Sequence, residues 1–479
     1  MVASMRDLLT TSRTFTLILA LGLFAMAARK VSDPDVWWHL KTGQLIAQNQ
    51  KLFYTDPFSS TRNGRPWINH EWLPDLLIFK IYQVAGFNGL IGAFAVVIAA
   101  AFMLLYWRSP GKPFGAGICT LLGALAALPS WGVRPQMLAF LLASFLLLLL
   151  ERSELRPRLV WWTVPLIWLW ANSHGSFPVG MVLIAAFLAA ESASAWLRGA
   201  WKTARARLTS LATVLVASIA VAPLNPYGFR LIAYPLQTLS SDAMQEFIAE
   251  WASPDFHRKE YIFLLLILLG LVAGFALVSA RMRLRELFLL VPATLGALIS
   301  ARHIYFFVLV AVPVLARSST QIFNRLRSPS DQKGKPALNA LLVAGLVLFA
   351  ILRIEYVVKA QHAAESAHFP EKLVQFVKAN PLPQRTLNYY NWGGYMIWQL
   401  YPEYQVFVDG RADVYGDDFL ERYGYAYYLT GDWDELLKQY DVPAVVLPAD
   451  TPLVTGLKTL RHWRVVYCDE QATIIAKPD

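Results

Sequence analysis

Cysteine and charged residues are both scarce in this chain of 479 residues. Its two cysteines, Cys119 and Cys468, cannot by themselves build a disulfide framework or a zinc site. Charged residues make up 16% of the chain, against about 25% in soluble domains, while 56% of the residues are hydrophobic. With a mean hydropathy of +0.40, this composition argues against a disordered chain, a coiled coil and a fully soluble globule.

Asn-x-Ser/Thr sequons and nucleic-acid motifs are absent from the sequence as well. The lack of sequons argues against maturation in the secretory pathway. The net charge of +10 would favour nucleic-acid binding in a soluble protein, but most of the basic excess lies in short links between apolar runs. Charge in such links sets the orientation of a membrane protein, so we expect membrane lipids and no nucleic acid among its partners.

Apolar runs recur along most of the chain, although several are shorter than the ~20 residues that a perpendicular span needs. We predict a polytopic α-helical membrane protein with about 11 transmembrane helices. The first run contains Ala25-Met26-Ala27, which fits a signal-peptidase site, but many runs follow and we expect it to be retained as the first span. The runs cover residues 14–28, 87–106, 114–130, 136–150, 159–171, 177–197, 208–222, 261–279, 286–300, 303–317 and 337–355.

Alternate links between these runs differ in charge. The short links of one set contain only Arg134 and Arg302, whereas those of the other set are basic throughout. The positive-inside rule places the basic set in the cytoplasm, so the loops 29–72 and 223–260 and the chain after Tyr356 lie outside. Arg29 and Lys30, on the outer side, go against this scheme. The basic set comprises Arg6, Arg13, Arg108, Lys112, Arg152, Arg156, Arg158, Arg198, Lys202, Arg205, Arg207, Arg281, Arg283, Arg285, Arg317, Arg325, Arg327, Lys333 and Lys335.

The chain after residue 356 has the pattern of a soluble α/β domain. We therefore predict a membrane domain over 1–356 and an extracytoplasmic C-terminal α/β domain over 357–479. Short β-branched and aromatic runs predict the strands, and longer amphipathic runs predict helices. The predicted strands are Arg385–Tyr390, Tyr404–Val408, Ala444–Leu447, Trp463–Tyr467 and Ala472–Ala476, and the predicted helices are Asp417–Tyr428 and Asp432–Tyr440.

The first outer loop carries the densest polar sequence. Ser32 or Asp33 before Pro34 fits a helix start with the acid as N-cap, and Asp35 and His39 then share one helix face. We expect the apolar residues of this helix, Val36, Trp37, Leu40, Leu45 and Ile46, to lie on the membrane surface. His70 and Glu71 follow in the same loop. Ionisable groups beside a membrane tend to be functional. The alternative is that Asp33 only caps the helix, that Asp35 is an ordinary solvated acid, and that the two histidines only bond backbone groups.

Arginine and histidine mark the other outer links. Arg134 and Arg302, the latter followed by His303, lie where a guanidinium can clamp a phosphate, and His174 can bind the same phosphate or a hydroxyl. Each arginine can instead be an ordinary interfacial residue. For Glu250, Asp255 and His257 a solvated loop face is the simpler interpretation. In the C-terminal region, Asn391–Tyr395 and Asp409–Tyr415 read as a structural turn or a contact with the first loop, or as ligand contacts at a strand end.

An Asp-x-Asp element directly after the first span resembles the GT-C superfamily of membrane glycosyltransferases, and in particular a bacterial branch of it. The amphipathic helices of the first loop, the many spans and the extracytoplasmic C-terminal domain share this resemblance, which extends over nearly the whole chain. The motifs that carry it are Asp33–Leu40, Asp56-Pro57-Phe58-Ser59, His70-Glu71-Trp72-Leu73, Asn172-Ser173-His174-Gly175, Asn225-Pro226-Tyr227-Gly228, Ala301-Arg302-His303, Gly393-Gly394-Tyr395 and Asp409-Gly410-Arg411.

The resemblance implies a sugar transferase that uses a polyprenyl-phosphate-linked donor and a lipid, glycan or protein acceptor in a bacterial cytoplasmic membrane. Asp33 or Asp35 would be the catalytic base, and Arg302 with Arg134 would stabilise the leaving phosphate. No cofactor is implied with certainty. His39, His70 and Glu71 would bind the substrate or its phosphate. A divalent metal ion stays open, and its candidate ligands are Asp35, His39, His70 and Glu71. The oligosaccharyltransferase signature Trp-Trp-Asp-Tyr-Gly is absent, which argues against protein N-glycosylation.

Two other functions remain open on the sequence. A flippase for lipid-linked glycans needs ionisable residues near the middle of its spans. Glu191 lies towards the cytoplasmic end of its run, and Arg353 and Glu355 lie at the outer end of the last run. A non-catalytic subunit for envelope assembly would need only a displayed C-terminal domain.

Overall fold

The computed structural model describes residues 10–248, 250–277, 282–326 and 335–478. Within these residues, each predicted apolar run coincides with a helix or with a helix and a short 3-10 turn, and residues 278–279 of the run 261–279 lie outside the described part. The α-helices are Thr11–Ala27, Val36–Asn49, Trp72–Arg108, Phe114–Ala127, Pro135–Arg152, Thr163–Ala171, Phe177–Arg198, Trp201–Val221, Arg230–Leu239, Asp242–Phe247, Ile262–Leu277, Leu284–Ile299, Ile304–Leu326, Pro336–Lys359, Gln361–His368, Glu371–Ala379, Tyr390–Leu400, Ala412–Tyr415, Asp417–Tyr428, Glu435–Gln439 and Pro452–Arg461. The 3-10 helices are Leu128–Ser130, Pro157–Trp162, Lys259–Tyr261 and Ala301–His303.

Within the described residues, seven helical segments are long and apolar enough to cross a bilayer. Two shorter apolar segments, Thr11–Ala27 and Phe114–Ser130, add to these. The architecture is therefore that of a polytopic helical membrane protein, as predicted, and the count of about 11 spans stays a prediction. Four basic residues of the orientation argument, Arg6, Arg281, Arg327 and Lys333, lie outside the described residues.

The chain forms two compact units, each built from three segments that are not consecutive in the sequence. The helical unit comprises Met1–Arg29, Ile91–Asn225 and Glu250–Lys359. The mixed unit comprises Lys30–Leu90, Pro226–Ala249 and Ala360–Asp479. The predicted boundary at 357 lies close to the end of the helix Pro336–Lys359, but the first outer loop groups with the C-terminal segment.

Close helix packing builds the core of the helical unit. The helix Ile304–Leu326 packs against Phe114–Ala127, and Pro336–Lys359 packs against Thr11–Ala27. The helix Ile304–Leu326 buries Tyr305, which a helix surrounded by lipid would not bury against protein. Gly123 permits this approach, because a Cβ there would lie 2.6 Å from Val312 Cγ2. A small residue at such a contact lets two helix backbones pack closely.

A four-stranded sheet forms part of the mixed unit. Its strands are β1 (Leu387–Asn388), β2 (Ala444–Pro448), β3 (Arg464–Cys468) and β4 (Ala472–Ala476), in the spatial order β1-β2-β4-β3. β1 runs parallel to β2, and the other two pairs are antiparallel. The prediction of a strand over Tyr404–Val408 is wrong, because this segment does not belong to the sheet. Val406 instead forms a single parallel bridge with Ser59, because the first loop supplies its backbone partners.

The first-loop helix begins at Val36, later than predicted, and Asp35 occupies its N-cap position without a capping side-chain bond. Asp33 is therefore not the N-cap: its Oδ1 accepts a bond from the backbone N–H of Asp35, 3.0 Å away, in the preceding turn. The expected membrane-surface position is also wrong for Val36, Trp37, Leu40 and Ile46, which are buried. Trp37 packs edge-on against Tyr395 of the C-terminal segment, with ring centroids 5.0 Å apart.

Glycines allow the mixed unit to close on this helix. A Cβ on Gly43 would lie 2.1 Å from the carbonyl oxygen of Asp75 and 2.7 Å from Phe79 Cβ. A Cβ on Gly394 would lie 2.6 Å from the carbonyl oxygen of Pro34. The Gly-Gly segment thus makes the predicted contact with the first loop, at the start of the helix Tyr390–Leu400 that follows β1.

A buried ion network joins the first loop to the C-terminal segment. Arg411 donates to Asp56 Oδ1 at 2.7 Å through Nη1 and to both carboxylate oxygens of Asp409 at 2.7 and 2.8 Å. Burial alone would raise the pKa of Asp56, but Arg411 and Ser59 outweigh burial and hold that pKa below its usual value. Asp409 and Arg411 therefore serve the fold, and the proposal that they contact a ligand at a strand end has no support from these contacts.

Replacing Gly43 by alanine should destabilise the mixed unit. The added methyl has to displace the backbone of Asp75, and overpacking of this kind costs about 1–3 kcal/mol. Gly92→Ala is the matched control, because a Cβ there meets nothing within 4 Å. Thermal unfolding in detergent measures both variants. Equal midpoints for the two variants would contradict the close approach.

Arg411→Met should destabilise the protein by about 3–5 kcal/mol, because it leaves two buried carboxylates without their cation. Arg422→Met, which removes the partner of the exposed Asp418, should cost at most about 1 kcal/mol.

The carboxylate of Asp56 stabilises the fold above the pKa of an unfolded aspartate, about 3.9, and this contribution is lost as the pH falls through the lower folded-state pKa. Unfolding measured from pH 7 to about pH 2 should therefore show a loss of stability below about pH 4 that Asp56→Asn removes.

Candidate functional site

Asp33 and Asp35 lie at the entry to the first-loop helix in the mixed unit. Both side chains are half-buried, so a substrate can reach them. Asp35 Oδ1 accepts a bond from Trp38 Nε1 at 3.1 Å, and a Cβ on Gly410 would lie 1.9 Å from that oxygen. Only glycine at 410 leaves room for the Asp35 carboxylate, which the C-terminal segment therefore helps to position.

His39 is held by a carboxylate that the sequence analysis missed. Its Nδ1 lies 2.6 Å from Asp75 Oδ1, and Asn69 Nδ2 donates to Asp75 Oδ2 at 2.8 Å. Burial opposes protonation of His39, but Asp75, Glu71 and Asp35 outweigh it and raise the pKa of His39. The signal for this site is Asp75 itself, an acid within the mostly apolar segment Leu73–Phe79.

Glu71 links His39 to His70. Its carboxylate lies 4.0 Å from His39 Nε2 and 3.6 Å from His70 Nε2. Burial opposes protonation of His70 too, but Glu71 and Asp413 raise the pKa of His70. The result is a row of alternating acids and imidazoles, in which each imidazole is held between carboxylates.

This row does not fit a metal ion. Within the described residues, no group of three or more His, Cys, Asp or Glu side chains is arranged to hold a metal ion. We therefore derive no step through a metal at Asp35, His39, His70 and Glu71.

A second cluster lies in the helical unit and centres on Glu250. Arg134 makes a bidentate pair with its carboxylate at 2.7 and 3.0 Å, and Arg302 Nη1 donates to Glu250 Oε1 at 3.0 Å. Burial alone would raise the pKa of Glu250, but Arg302 and Arg134 lower it to about 2. The expectation of a solvated loop face is therefore wrong for Glu250.

Backbone bonds align this second cluster as well. Arg302 N–H donates to the carbonyl of Glu250 at 2.9 Å, and its guanidinium lies 5.1 Å from the centre of the Trp251 ring. His174 Nδ1 accepts a bond from the backbone N–H of Ser176 at 3.0 Å. His303 is partly buried beside Trp251, with 6.5 Å between their ring centres. Two guanidinium groups that share one carboxylate leave a net positive site, which suits an anion such as a phosphate.

The structure thus sorts the predicted site residues into two groups. Asp33, Asp35, His39, His70 and Glu71 come together in the mixed unit. Arg134, His174, Arg302 and His303 belong to the helical unit, around Glu250. The other two loop candidates, Asp255 and His257, are exposed, as the solvated-face interpretation expected.

Neither family models nor curated proteins match this sequence. Several solved structures, in contrast, are similar to this chain. An oligosaccharyltransferase of Archaeoglobus fulgidus, tethered to an acceptor peptide, matches with TM-score 0.58 and 11% identity, over 99% of this chain and 75% of its own. The oligosaccharyltransferase AglB from Archaeoglobus fulgidus, with an inhibitory peptide and a dolichol-phosphate, matches with TM-score 0.54 and 11% identity, over 94% of this chain and 70% of its own.

ArnT from Cupriavidus metallidurans bound to undecaprenyl phosphate matches with TM-score 0.51 and 12% identity, over 97% of this chain and 98% of its own. These two enzymes are GT-C glycosyltransferases. The likeness covers both units of the chain, whereas the identities are too low to transfer an activity. The chain therefore shares the fold of these two enzymes, as the resemblance predicted.

Proposed function

We propose that the protein transfers a sugar from a polyprenyl-phosphate donor to a lipid, glycan or protein acceptor on the outer face of a bacterial cytoplasmic membrane. The observation that carries this proposal is the fold, which is shared with two enzymes whose solved structures contain a polyprenyl phosphate. The half-buried acids of the first loop and the arginine pair around Glu250 supply the two kinds of group that such a transfer needs.

The sidedness of the proposal rests on charge. Basic residues fill alternate links, which the positive-inside rule assigns to the cytoplasm, and the two clusters then belong to the opposite face. The C-terminal segment lies on that face as well. Nucleotide donors are confined to the cytoplasm, so a sugar already activated on a lipid phosphate meets the need for energy outside.

The chemistry is a substitution at the anomeric carbon. An acceptor hydroxyl attacks that carbon, the bond from the carbon to the phosphate oxygen breaks, and the polyprenyl phosphate leaves with the electron pair. Asp35, or Asp33, takes the proton of the acceptor hydroxyl. Arg302 and Arg134 bind the phosphate, on which negative charge increases as the bond breaks. Glu250 holds both guanidinium groups in place before the donor binds.

Asp33→Asn and Asp35→Asn test the proton acceptor. Asparagine keeps an oxygen that can accept the bond from Asp35 N–H or from Trp38 Nε1, so either variant should fold while losing its charge. At least one variant should lose transfer by about 100-fold or more, the usual contribution of a general base. Radiolabelled polyprenyl-phosphate sugar incubated with purified protein and a membrane extract as acceptor source measures transfer.

Asp450→Asn is the control for these two variants, because Asp450 is an exposed acid of the same unit. It should retain wild-type transfer. Full transfer by both first-loop variants would remove these acids from the chemistry. Wild-type protein that leaves the donor unconsumed, while moving it across vesicles, would instead favour a flippase. Wild-type protein that does neither would favour an assembly subunit.

Arg302→Ala should weaken binding of undecaprenyl phosphate, because a charged hydrogen bond contributes roughly 1.5–3 kcal/mol, or about ten- to 100-fold in affinity. Native mass spectrometry of the purified protein with added undecaprenyl phosphate measures the bound fraction. Arg258→Ala is the control, since Arg258 lies in the outer loop that contains Glu250 but pairs with Glu260 in solvent. Equal binding by the two variants would contradict a phosphate role for Arg302.

A further inference from the structure

A cavity of about 450 Å³ lies within the mixed unit, apart from the two acids of the first-loop helix. Its walls come from the first loop, from the helix Arg230–Leu239 and from the segment after Arg411. Ligand cavities in proteins span about 300–1,000 Å³, so this one suits a small polar molecule. We propose that it binds a single sugar ring of the glycan substrate, an inference that rests on the proposed function and specifies where it recognises carbohydrate.

Aromatic side chains form one part of the wall. Tyr54 is 53% exposed, and its ring centre lies 5.4 Å from that of Tyr227. The hydroxyl of Tyr227 donates to the carbonyl of Phe53 at 2.8 Å, which fixes its ring. Trp67 is held by Arg411, whose guanidinium lies 4.7 Å from the ring centre. An aromatic face with a polar edge suits the C–H face of a sugar, which is apolar and ringed by hydroxyls.

Polar side chains line the rest of the cavity. Arg230 and Gln237 provide donors, and Asp413 provides a carboxylate acceptor. A sugar hydroxyl both donates and accepts, so a wall with both kinds of group satisfies it. A polyprenyl chain would instead leave these charged groups without water or a partner, which costs free energy. The mixed wall therefore selects a sugar ring over the lipid part of the donor.

The cavity wall is tied to the acidic network of the first loop. Tyr234, which lines the cavity, stacks on His70 with ring centres 4.1 Å apart and 30° between the rings. His70 in turn lies 3.6 Å from Glu71. Asp413 follows the buried Arg411 by two residues and is itself half-buried. These contacts hold the wall rigid, which lowers the entropy cost of binding a polar ligand.

The sugar ring can come from the donor or from a glycan acceptor, and two probes separate these sources. Saturation-transfer NMR on the full-length protein in detergent uses methyl glycosides of glucose, mannose and N-acetylglucosamine for a glycan, and citronellyl phosphoglucose for a donor. Tyr54→Ala should weaken at least one probe by roughly two- to tenfold, the range for loss of one aromatic contact. Arg230→Gln should weaken the same probe, and Tyr54→Phe should restore binding.

Tyr428→Ala is the matched control, since Tyr428 belongs to the same unit, is 57% exposed and does not line this cavity. Loss confined to the methyl glycosides assigns the cavity to an acceptor, and loss confined to the phosphoglucose assigns it to the donor. Wild-type protein that binds none of the probes, or equal loss in the Tyr54 and Tyr428 variants, would overturn the inference. If the wild-type protein binds sugar but catalyses no transfer, the proposed transfer is wrong and the inference of a sugar-binding cavity stands.

Discussion

The mixed unit depends on one buried cation. Arg411 is almost inaccessible to solvent, and it bonds Asp409 of its own segment and Asp56 of the first loop. A buried guanidinium without both carboxylates would cost several kcal/mol. Because the two carboxylates come from distant parts of the chain, the first loop and the C-terminal segment have to fold together, and they become one unit despite some 350 residues between them.

That coupling explains how a loop after the first apolar helix can hold reactive groups in fixed positions. Loops on their own are mobile and place side chains poorly. Here Gly43 lets the first-loop helix contact the backbone of Asp75, which brings Asp75 to His39. Gly410 leaves space for the carboxylate of Asp35. The polar groups are thus placed by tertiary packing on both sides, as a binding or catalytic site requires.

Glu250 plays the corresponding part in the helical unit. Arg134 and Arg302 would repel each other if no anion lay between them, and the shared carboxylate removes this repulsion. Because the carboxylate remains ionised to about pH 2, the pair keeps its geometry at any physiological pH. A positively charged pair that is already assembled can bind a phosphate without a further cost of alignment.

The sequence alone determined the class of protein and most local structure. Hydrophobic runs specify helices because an apolar stretch has to satisfy its backbone internally, and β-branched runs such as Ala472–Ala476 specify strands. The first-loop motif, together with the other motifs along nearly the whole chain, was sufficient to predict a GT-C-like fold. Arg134 and Arg302 were recognisable as site candidates because an isolated arginine in a short, otherwise uncharged link is conspicuous.

Only the tertiary structure decided which groups meet. Asp75, Glu250 and the lining of the sugar cavity are ordinary residues in their own segments, and their roles depend on neighbours far along the chain. The segment Tyr404–Val408 reads as a strand but pairs with Ser59 of the first loop instead of entering the sheet. Local patterns are set by interactions over a few residues, whereas burial of a charge or a backbone bond is satisfied by whichever partner the whole fold brings within reach.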